Sequence, residues 1–260
     1  LDPGSATPRI VELEGTTGRR VAAISVPRLD AQGVAPDGRI VAAYVDGDNM
    51  YARLIDPRTG RGRNLEAGAS SDGCAATTPS FTPDSRLMAI DDGCTHVLVW
   101  DLRSGRLKRT IVLSERSSGS GALLSPDGRY VLLTVLGGAF VRIDLRSGQV
   151  AEVPGAQTEG NVLAVSPTGT FYAIGRQDGT VDVYDARTLR LVRHHALVNA
   201  IESLAFSRDG RDLAVEDTSN VVRVWDTCAI CENPQRLAAL AAAESVRQLT
   251  PGERRTFNVP

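Results

Sequence analysis

Two markers recur together along this chain, and their spacing limits what it can fold into. The first is a tight turn, written Ala35-Pro36-Asp37-Gly38, Thr82-Pro83-Asp84-Ser85, Ser125-Pro126-Asp127-Gly128, Ser166-Pro167-Thr168-Gly169 and Ser207-Arg208-Asp209-Gly210. Pro presets φ at the first central position, Asp bonds its own backbone, and Gly accepts a positive φ, so each reads as a β-turn. A strand-like run follows each turn, as in Arg39-Ile40-Val41-Ala42-Ala43-Tyr44 and Arg129-Tyr130-Val131-Leu132-Leu133. The second marker is a strand that ends in an acid and enters a short turn, often Arg-Ser/Thr-Gly. The acids are Glu14, Asp56, Asp101, Asp144, Asp185 and Asp226, spaced 42, 45, 43, 41 and 41 residues apart. Before them stand Leu13, Ile55, Trp100, Ile143, Tyr184 and Trp225. One bulky apolar side chain at a fixed place in every period is what a stacked, repeating core requires.

Val99-Trp100-Asp101 and Val224-Trp225-Asp226, with the Pro-Asp-Gly-type turns ahead of them, resemble WD-repeat β-propellers over roughly residues 8 to 226. The resemblance implies an all-β propeller of four-stranded antiparallel blades. One departure stands out: the Gly-His pair that usually precedes the first strand of such a blade is absent from every repeat. The family's Asp-His-Ser-Trp hydrogen-bond network is therefore not expected intact. Asp48, Asp92, Asp178 and Asp217, in the turn before the third strand, are expected to keep part of its role. Five turns against six acid-ended strands give a partial blade at 9–25, whole blades at about 29–66, 75–113, 120–153 and 160–193, and a three-strand blade at 200–226. The ring is thus expected to be incomplete in this chain, with blades missing upstream. The alternative is that residues 19–25 pair with the last blade and close a smaller ring.

After Asp226 the pattern turns helical. Asn233-Pro234 supplies an N-cap followed by Pro, and Leu237, Leu240, Ala243, Val246 and Leu249 fall on one face of an Ala-rich run. Thr250-Pro251-Gly252-Glu253 reads as a second capping box. A short C-terminal helical tail packed on the propeller is expected over 227–260. The run from Cys228 to Arg255 is also similar to the ends of WD-repeat regions in large signalling proteins of high-GC bacteria. Those proteins join a transcription-regulator or other effector domain to a STAND-type nucleotide-binding module and a C-terminal propeller. This resemblance implies a sensing or inhibitory end of a switch, and an opening at Leu1 without Met fits a fragment of such a protein.

Composition narrows the partners. A formal net charge of −2 and a pI near 6.0 argue against broad attraction to nucleic acid or anionic membrane. No run approaches the roughly 18 consecutive apolar residues of a membrane span. The expected partners are proteins or other domains of the same parent, with no cofactor, in a cytoplasmic setting. Lys108 is the single lysine, which points to a high-GC genome more than to any function.

Candidate chemistry is sparse. Cys228 and Cys231 have the spacing of half a zinc site or of a redox dithiol, but no second pair stands at ligand distance in sequence. A turn with structural thiols is the favoured reading, with a local disulfide or a metal as weaker ones. If Phe81 opposes Arg86 across the Thr82–Ser85 turn, residue 74 falls opposite 93, and Cys74 and Cys94 become neighbours. They would be a disulfide in an oxidising compartment and close free thiols in cytosol. His96 opens a strand, and His194 and His195 point to opposite faces of one strand, so they do not share a metal. Ser114–Ser120 lacks the Gly-Lys-Ser/Thr ending of a phosphate loop and reads as a flexible inter-blade loop. Asp91-Asp92 and Asp46-Gly47-Asp48 read as turns. No nucleophile, base and orienting acid assemble, so no catalytic residue is assigned. Propeller loops suit protein docking, and Asp72, Asp91, Arg116, Gln157, Glu159, Arg176, Asn199 and Asp217 are the expected partner-facing residues. The favoured function is a protein-binding sensor or autoinhibitory module. The alternatives are a constitutive assembly scaffold and an envelope-located propeller hydrolase or lactonase with a metal in its channel.

Overall fold

The computed structural model describes residues 9–13, 20–25, 29–119, 121–157 and 162–227. Glu14, Glu159, Cys228, Cys231 and the expected C-terminal helix lie outside the described residues. Among those residues the chain forms antiparallel sheets in sequence order. A hairpin of β1 (Arg9–Leu13) and β2 (Arg20–Ser25) comes first. Blade 1 contains β3 (Ala31–Val34), β4 (Ile40–Asp46) and β5 (Asn49–Ile55), with a divided outer strand, β6 (Gly62–Asn64) and β7 (Gly68–Ala69), both paired to β5. Blade 2 contains β8 (Ser80–Phe81), β9 (Leu87–Asp91), β10 (His96–Asp101) and β11 (Arg106–Val112). Blade 3 contains β12 (Leu123–Leu124), β13 (Tyr130–Thr134), β14 (Ala139–Asp144) and β15 (Val150–Gln157). Blade 4 contains β16 (Val162–Val165), β17 (Phe171–Gly175), β18 (Thr180–Asp185) and β19 (Leu191–Ala196). Blade 5 has three strands, β20 (Ile201–Phe206), β21 (Asp212–Asp217) and β22 (Val222–Asp226). The smaller-ring alternative had residues 19–25 pairing with this last blade, whereas β2 pairs with β1.

In blades 2, 3 and 4 the second and third strands are largely buried on both faces, because each of these sheets is covered on both sides. In β9 every residue from Leu87 to Asp91 is buried. Met88 and Ile90 pack with Leu98 and Trp100 against Val41, Val45, Met50 and Leu54 of blade 1. Leu87 and Ala89, on the opposite face, join Val97 and Val99 against Val131, Leu133 and Ile143 of blade 3. The alternation continues: Leu132, Phe140 and Val153 meet Tyr172, Ile174 and Tyr184, while Phe171, Ala173 and Val183 meet Leu213 and Val215. Period-2 side-chain alternation thus sends each strand's odd and even residues into two different inter-blade layers.

The repeated turns are built by local hydrogen bonds. In three of the turns the hydroxyl before the Pro-Asp or Arg-Asp step donates to the Asp two residues on, at 2.6 Å for Thr82–Asp84, Ser125–Asp127 and Ser207–Asp209. The same oxygen accepts the backbone N–H that opens the next strand, as Ser125 does from Tyr130 at 2.8 Å. Ser85 takes the place filled by Gly in the other turns and holds a left-handed φ of 56°. Its hydroxyl accepts the Asp37 N–H at 2.9 Å, an inter-blade bond that Gly could not make. The acids that end the third strands cap the next turn: Asp101, Asp144 and Asp185 each accept the N–H groups two and three residues on.

Arginines tie blade to blade at this turn end. Arg63 donates to the carbonyls of Leu102 and Arg103, Arg142 to those of Ala186 and Arg187, and Arg109 to that of Arg146. Trp100 adds a tie from the core. A register shift between Val99 and Trp100 in the β10–β11 pairing bends the strand there. The buried indole Nε1–H reaches the Glu66 carbonyl at 2.8 Å.

This makes the two tryptophans unequal. Trp100→Phe leaves a gap between blades 1 and 2 and strands the Glu66 carbonyl, at an expected cost of about 2–4 kcal/mol. Trp225→Phe, at a half-buried site, is expected to cost less than half as much. Chemical denaturation of the two variants checks the order.

Candidate binding face

The end of the blades opposite the Pro-Asp-Gly turns carries two sets of segments: the links between blades, and the turns between second and third strands. They are hydrogen-bonded to one another. The Leu136 N–H donates to Arg116 O at 2.7 Å, Leu197 N–H to Gly179 O at 2.9 Å, Ile201 N–H to Arg176 O at 3.0 Å and Thr218 N–H to Ala200 O at 2.9 Å. Each link thus rests on the turn of an adjoining blade.

Buried carboxylates anchor this end. Asp92 accepts the N–H groups of Cys94 and His96 on Oδ1, both at 2.9 Å, and the Ser71 N–H and Ser70 hydroxyl on Oδ2, both at 3.0 Å. Burial alone would raise its pKa, but these donors outweigh it and hold the carboxyl below the ordinary range. Asp91 is also fully buried and accepts the Gly93 N–H and Ser117 hydroxyl on Oδ1, both at 2.8 Å, and the Thr77 hydroxyl on Oδ2 at 2.9 Å. Here desolvation is the largest influence and pushes the pKa up. Asp217 sits well below the usual range, held there first by the Ser219 hydroxyl and then by Arg223, whose Nη1 is 2.6 Å away.

Blade 4 uses a different residue. Asp178 is exposed and bonds its own turn through Thr180. Asp182, inside β18, gathers Arg176 at 2.8 Å, His194 at 2.7 Å and the Tyr184 hydroxyl at 3.1 Å. Asp48 is exposed and contributes its backbone carbonyl, which accepts the Ser70 N–H. The network expected of Asp48, Asp92, Asp178 and Asp217 therefore sits on Asp92 and Asp217, joined by Asp91 and Asp182. The Asp182 cluster could have been sought from the Asp182 and His194 positions, which pair across β18 and β19.

Several expectations change at this end. Asp91, Arg176 and Asp217 are buried, so their side chains brace the loops instead of facing a partner. Asp72 and Arg116 are exposed, and Asn199 is half-buried with its Nδ2 donating to the Ser219 hydroxyl. Gln157 ends β15. The Ser114–Ser120 stretch, expected to be a flexible loop, is pinned where Ser117 is buried, bonds Asp91 and bridges to Val135. His194 and His195 do diverge: His195 stacks on Trp225 with ring centroids 4.1 Å apart, and burial there lowers its pKa.

Cys74 and Cys94 form a disulfide with Cα atoms 6.0 Å apart. The register that places them differs from the expected one. Thr82 and Leu87, not Phe81 and Arg86, flank the turn, and Phe81 pairs with Met88. The four-residue connection moves every pairing by two. Arg116 Nη2 donates to Cys94 Sγ at 2.8 Å, a contact that sequence spacing could not reveal. Around the disulfide lies an open polar cleft of about 620 Å³. Beside the first strands lies an open apolar cleft of about 450 Å³ lined by Phe81, Leu123, Leu163, Leu204 and the turn prolines. Among the described residues, no group of three His, Cys, Asp or Glu side chains is placed to hold a metal ion.

The two adjacent acids are expected to respond differently to neutralisation. In Asp92→Asn the amide NH₂ must face a backbone N–H whichever way it turns, so a loss of about 2–3 kcal/mol is expected. In Asp91→Asn the NH₂ can face the reversible Thr77 hydroxyl, and the loss should stay within about 1 kcal/mol. The raised pKa of Asp91 means its contribution is full below 3.8 and fades as pH rises through its folded value. Asp91→Asn should therefore remove that downward slope above 3.8. Thermal unfolding of both variants across pH 3–8 measures each effect.

No family model matches the chain. It is 25% identical over 195 residues to Protein groucho of Drosophila melanogaster, covering 74% of this chain and 26% of that protein. It is 28% identical over 153 residues to Target of rapamycin complex subunit wat1 of Schizosaccharomyces pombe, covering 56% of this chain and 47% of that protein. It is 36% identical over 101 residues to WD repeat-containing protein 1 of Bos taurus, covering 38% and 16%. The chain thus spans less than half the length of each of these relatives. Among solved structures, it is similar to the Cps50 (Swd1) β-propeller domain of Myceliophteria thermophila, with a TM-score of 0.66 and 17% identity over 87% of this chain and 71% of that one. With the repeated antiparallel sheets, these likenesses identify the fold as a β-propeller and show the chain to be similar to WD-repeat proteins.

Proposed function

We propose that this chain is a protein-docking module whose partner binds the loop end built on Asp91, Asp92, Asp182 and Asp217. The observation that carries this reading is the combination of a braced loop framework with exposed apolar tips. Val112 is 68% exposed, Leu136 56% and Val198 97%, all at this end, beside the exposed Asp72 and Arg116. Apolar anchors among charged groups, on loops already ordered before binding, are what a protein interface uses. Relatives whose printed names describe a complex subunit and WD-repeat proteins support the same reading.

In finer terms, we read the module as the sensing or inhibitory part of a larger bacterial regulator in the cytoplasm. The likeness of the Cys228–Arg255 run to the ends of such propellers supports this. A constitutive scaffold would use the same face without switching.

Photo-crosslinking in native host cells tests the docking face. A benzophenone residue at 136 or 198 should give discrete protein adducts, and one at 83 or 208, on the turn end, should not. Equal adducts from both ends, or none at 136 and 198, would overturn the assignment.

A further inference from the structure

The Cys74–Cys94 disulfide has a setting that a structural cross-link would not require. It joins the link before β8 to the turn between β9 and β10, at the floor of the open cleft lined by Gly73, Cys74, Gly93, Cys94, Arg116 and Gly119. The two sulfurs are not equivalent. Cys94 is 4% exposed, while Cys74 is half-buried between the exposed Asp72, Gly73 and Ala75. Only Cys94 has a cation on it, the Arg116 guanidinium at 2.8 Å. Asp91 and Asp92 lie close by, but their oxygens are taken up by the backbone and hydroxyl donors already described. Asp72 is exposed, and its charge is screened by water and salt.

Thiol–disulfide exchange depends on access to the sulfur attacked and on how well the other sulfur leaves as a thiolate. A neighbouring guanidinium stabilises a thiolate. We propose that the Cys74–Cys94 pair is a thiol-exchange site of the folded chain, attacked at Cys74 by a dithiol reductant and opened with Cys94 leaving toward Arg116. In the first step the incoming thiol gives its proton to water, and its sulfur bonds to Cys74 Sγ. The Cys74–Cys94 bond breaks, and its electron pair departs on Cys94 Sγ. In the second step the other thiol of the reductant, as thiolate, attacks the reductant sulfur now bound to Cys74. Cys74 is released as a thiolate that takes a proton. Two electrons pass from the dithiol to the protein disulfide, and the reductant ends as a disulfide. In a cytoplasmic protein, disulfides are characteristically transient and redox-sensing. The inference does not rest on the proposed docking function, since it concerns the reactivity of the two sulfurs alone.

The test uses the whole chain. Trypsin cleaves after Arg86, so Cys74 and Cys94 fall in separate peptides, and Cys228 and Cys231 in a third. If the protein is isolated reduced, oxidised glutathione must first close the bond, and failure to close it overturns the proposal. The oxidised protein is then treated, without denaturant, with glutathione and quenched with acid. Mass spectrometry of the wild type should find the glutathione adduct on the Cys74 peptide. An adduct on Cys94, an even split, or no opening until denaturant is added overturns the proposal. With dithiothreitol as the dithiol, Arg116→Gln should slow opening about three- to tenfold, as expected when a leaving thiolate loses its cation. Arg116→Lys should recover most of that rate. An Arg116→Gln rate equal to wild type would also overturn it. The site of attack on the wild type needs no variant, so the proposal stays testable if Arg116→Gln folds poorly.

Discussion

Burial of the sheets of blades 2, 3 and 4 on both faces is the constraint on which this structure depends. A lone antiparallel sheet can leave one face in water, but Met88 and Leu87, adjacent in β9, both need an apolar neighbour, on opposite sides. A blade is therefore not a stable unit by itself, and its folding free energy resides largely in two shared layers. Trp100, Ile143 and Tyr184, each the large residue before a strand-ending acid, are buried in those layers. The arginine bonds to neighbouring carbonyls and the Trp100–Glu66 bond cross the same boundaries. Polar ties and apolar layers thus enforce one spacing between sheets.

The two ends of the blades manage polarity by different means. At the Pro-Asp-Gly end, carboxylates bond within their own turn, stay near water and are pulled below their ordinary pKa by local donors, as Asp84 is by Thr82 and Asp101 by Ser104. At the other end the carboxylates are buried and collect donors from separate segments. The outcome depends on donor type. Asp92 holds three backbone N–H groups and remains a strong acid, while Asp91, braced mainly by hydroxyls, is dominated by its desolvation. Four of those donors, Ser70, Ser71, Thr77 and Ser117, belong to links between blades and tie each link to a turn.

What was legible in the sequence was local or periodic. The Pro-Asp-Gly turns, the acid-ended strands and the two-sided apolar runs each follow from a few adjacent residues, and they were enough to specify blades. Pairings across the chain were harder. The Cys74–Cys94 proximity came from a register two residues off, since a hydroxyl two steps from Asp84 lengthens the connection beyond what the tetrapeptide suggests. Asp91, Arg176 and Asp217 looked like loop-surface residues, because nothing in one sequence reveals that Ser117, Asp182 or Arg223 will fold over them. In the absence of the Gly-His pair, the donors are the Ser117 hydroxyl on Asp91 and the Ser70 hydroxyl with the Ser71 N–H on Asp92, small residues without a distinctive pattern.

The arginine ties also bear on how this protein can be handled in the laboratory. A guanidinium can bond two carbonyls at once, as those of Arg63 and Arg142 do, and a lysine ammonium in its place would lack that planar fork. With these positions held by arginine, Lys108, exposed on β11, is the one side-chain amine in the sequence. Among side chains, an amine-reactive dye attaches only there, on a single known blade, without any residue having been changed to create the handle. The same scarcity means that amine-to-amine crosslinking reagents sample this surface at one side chain, and silence from them says nothing about whether a partner is seated.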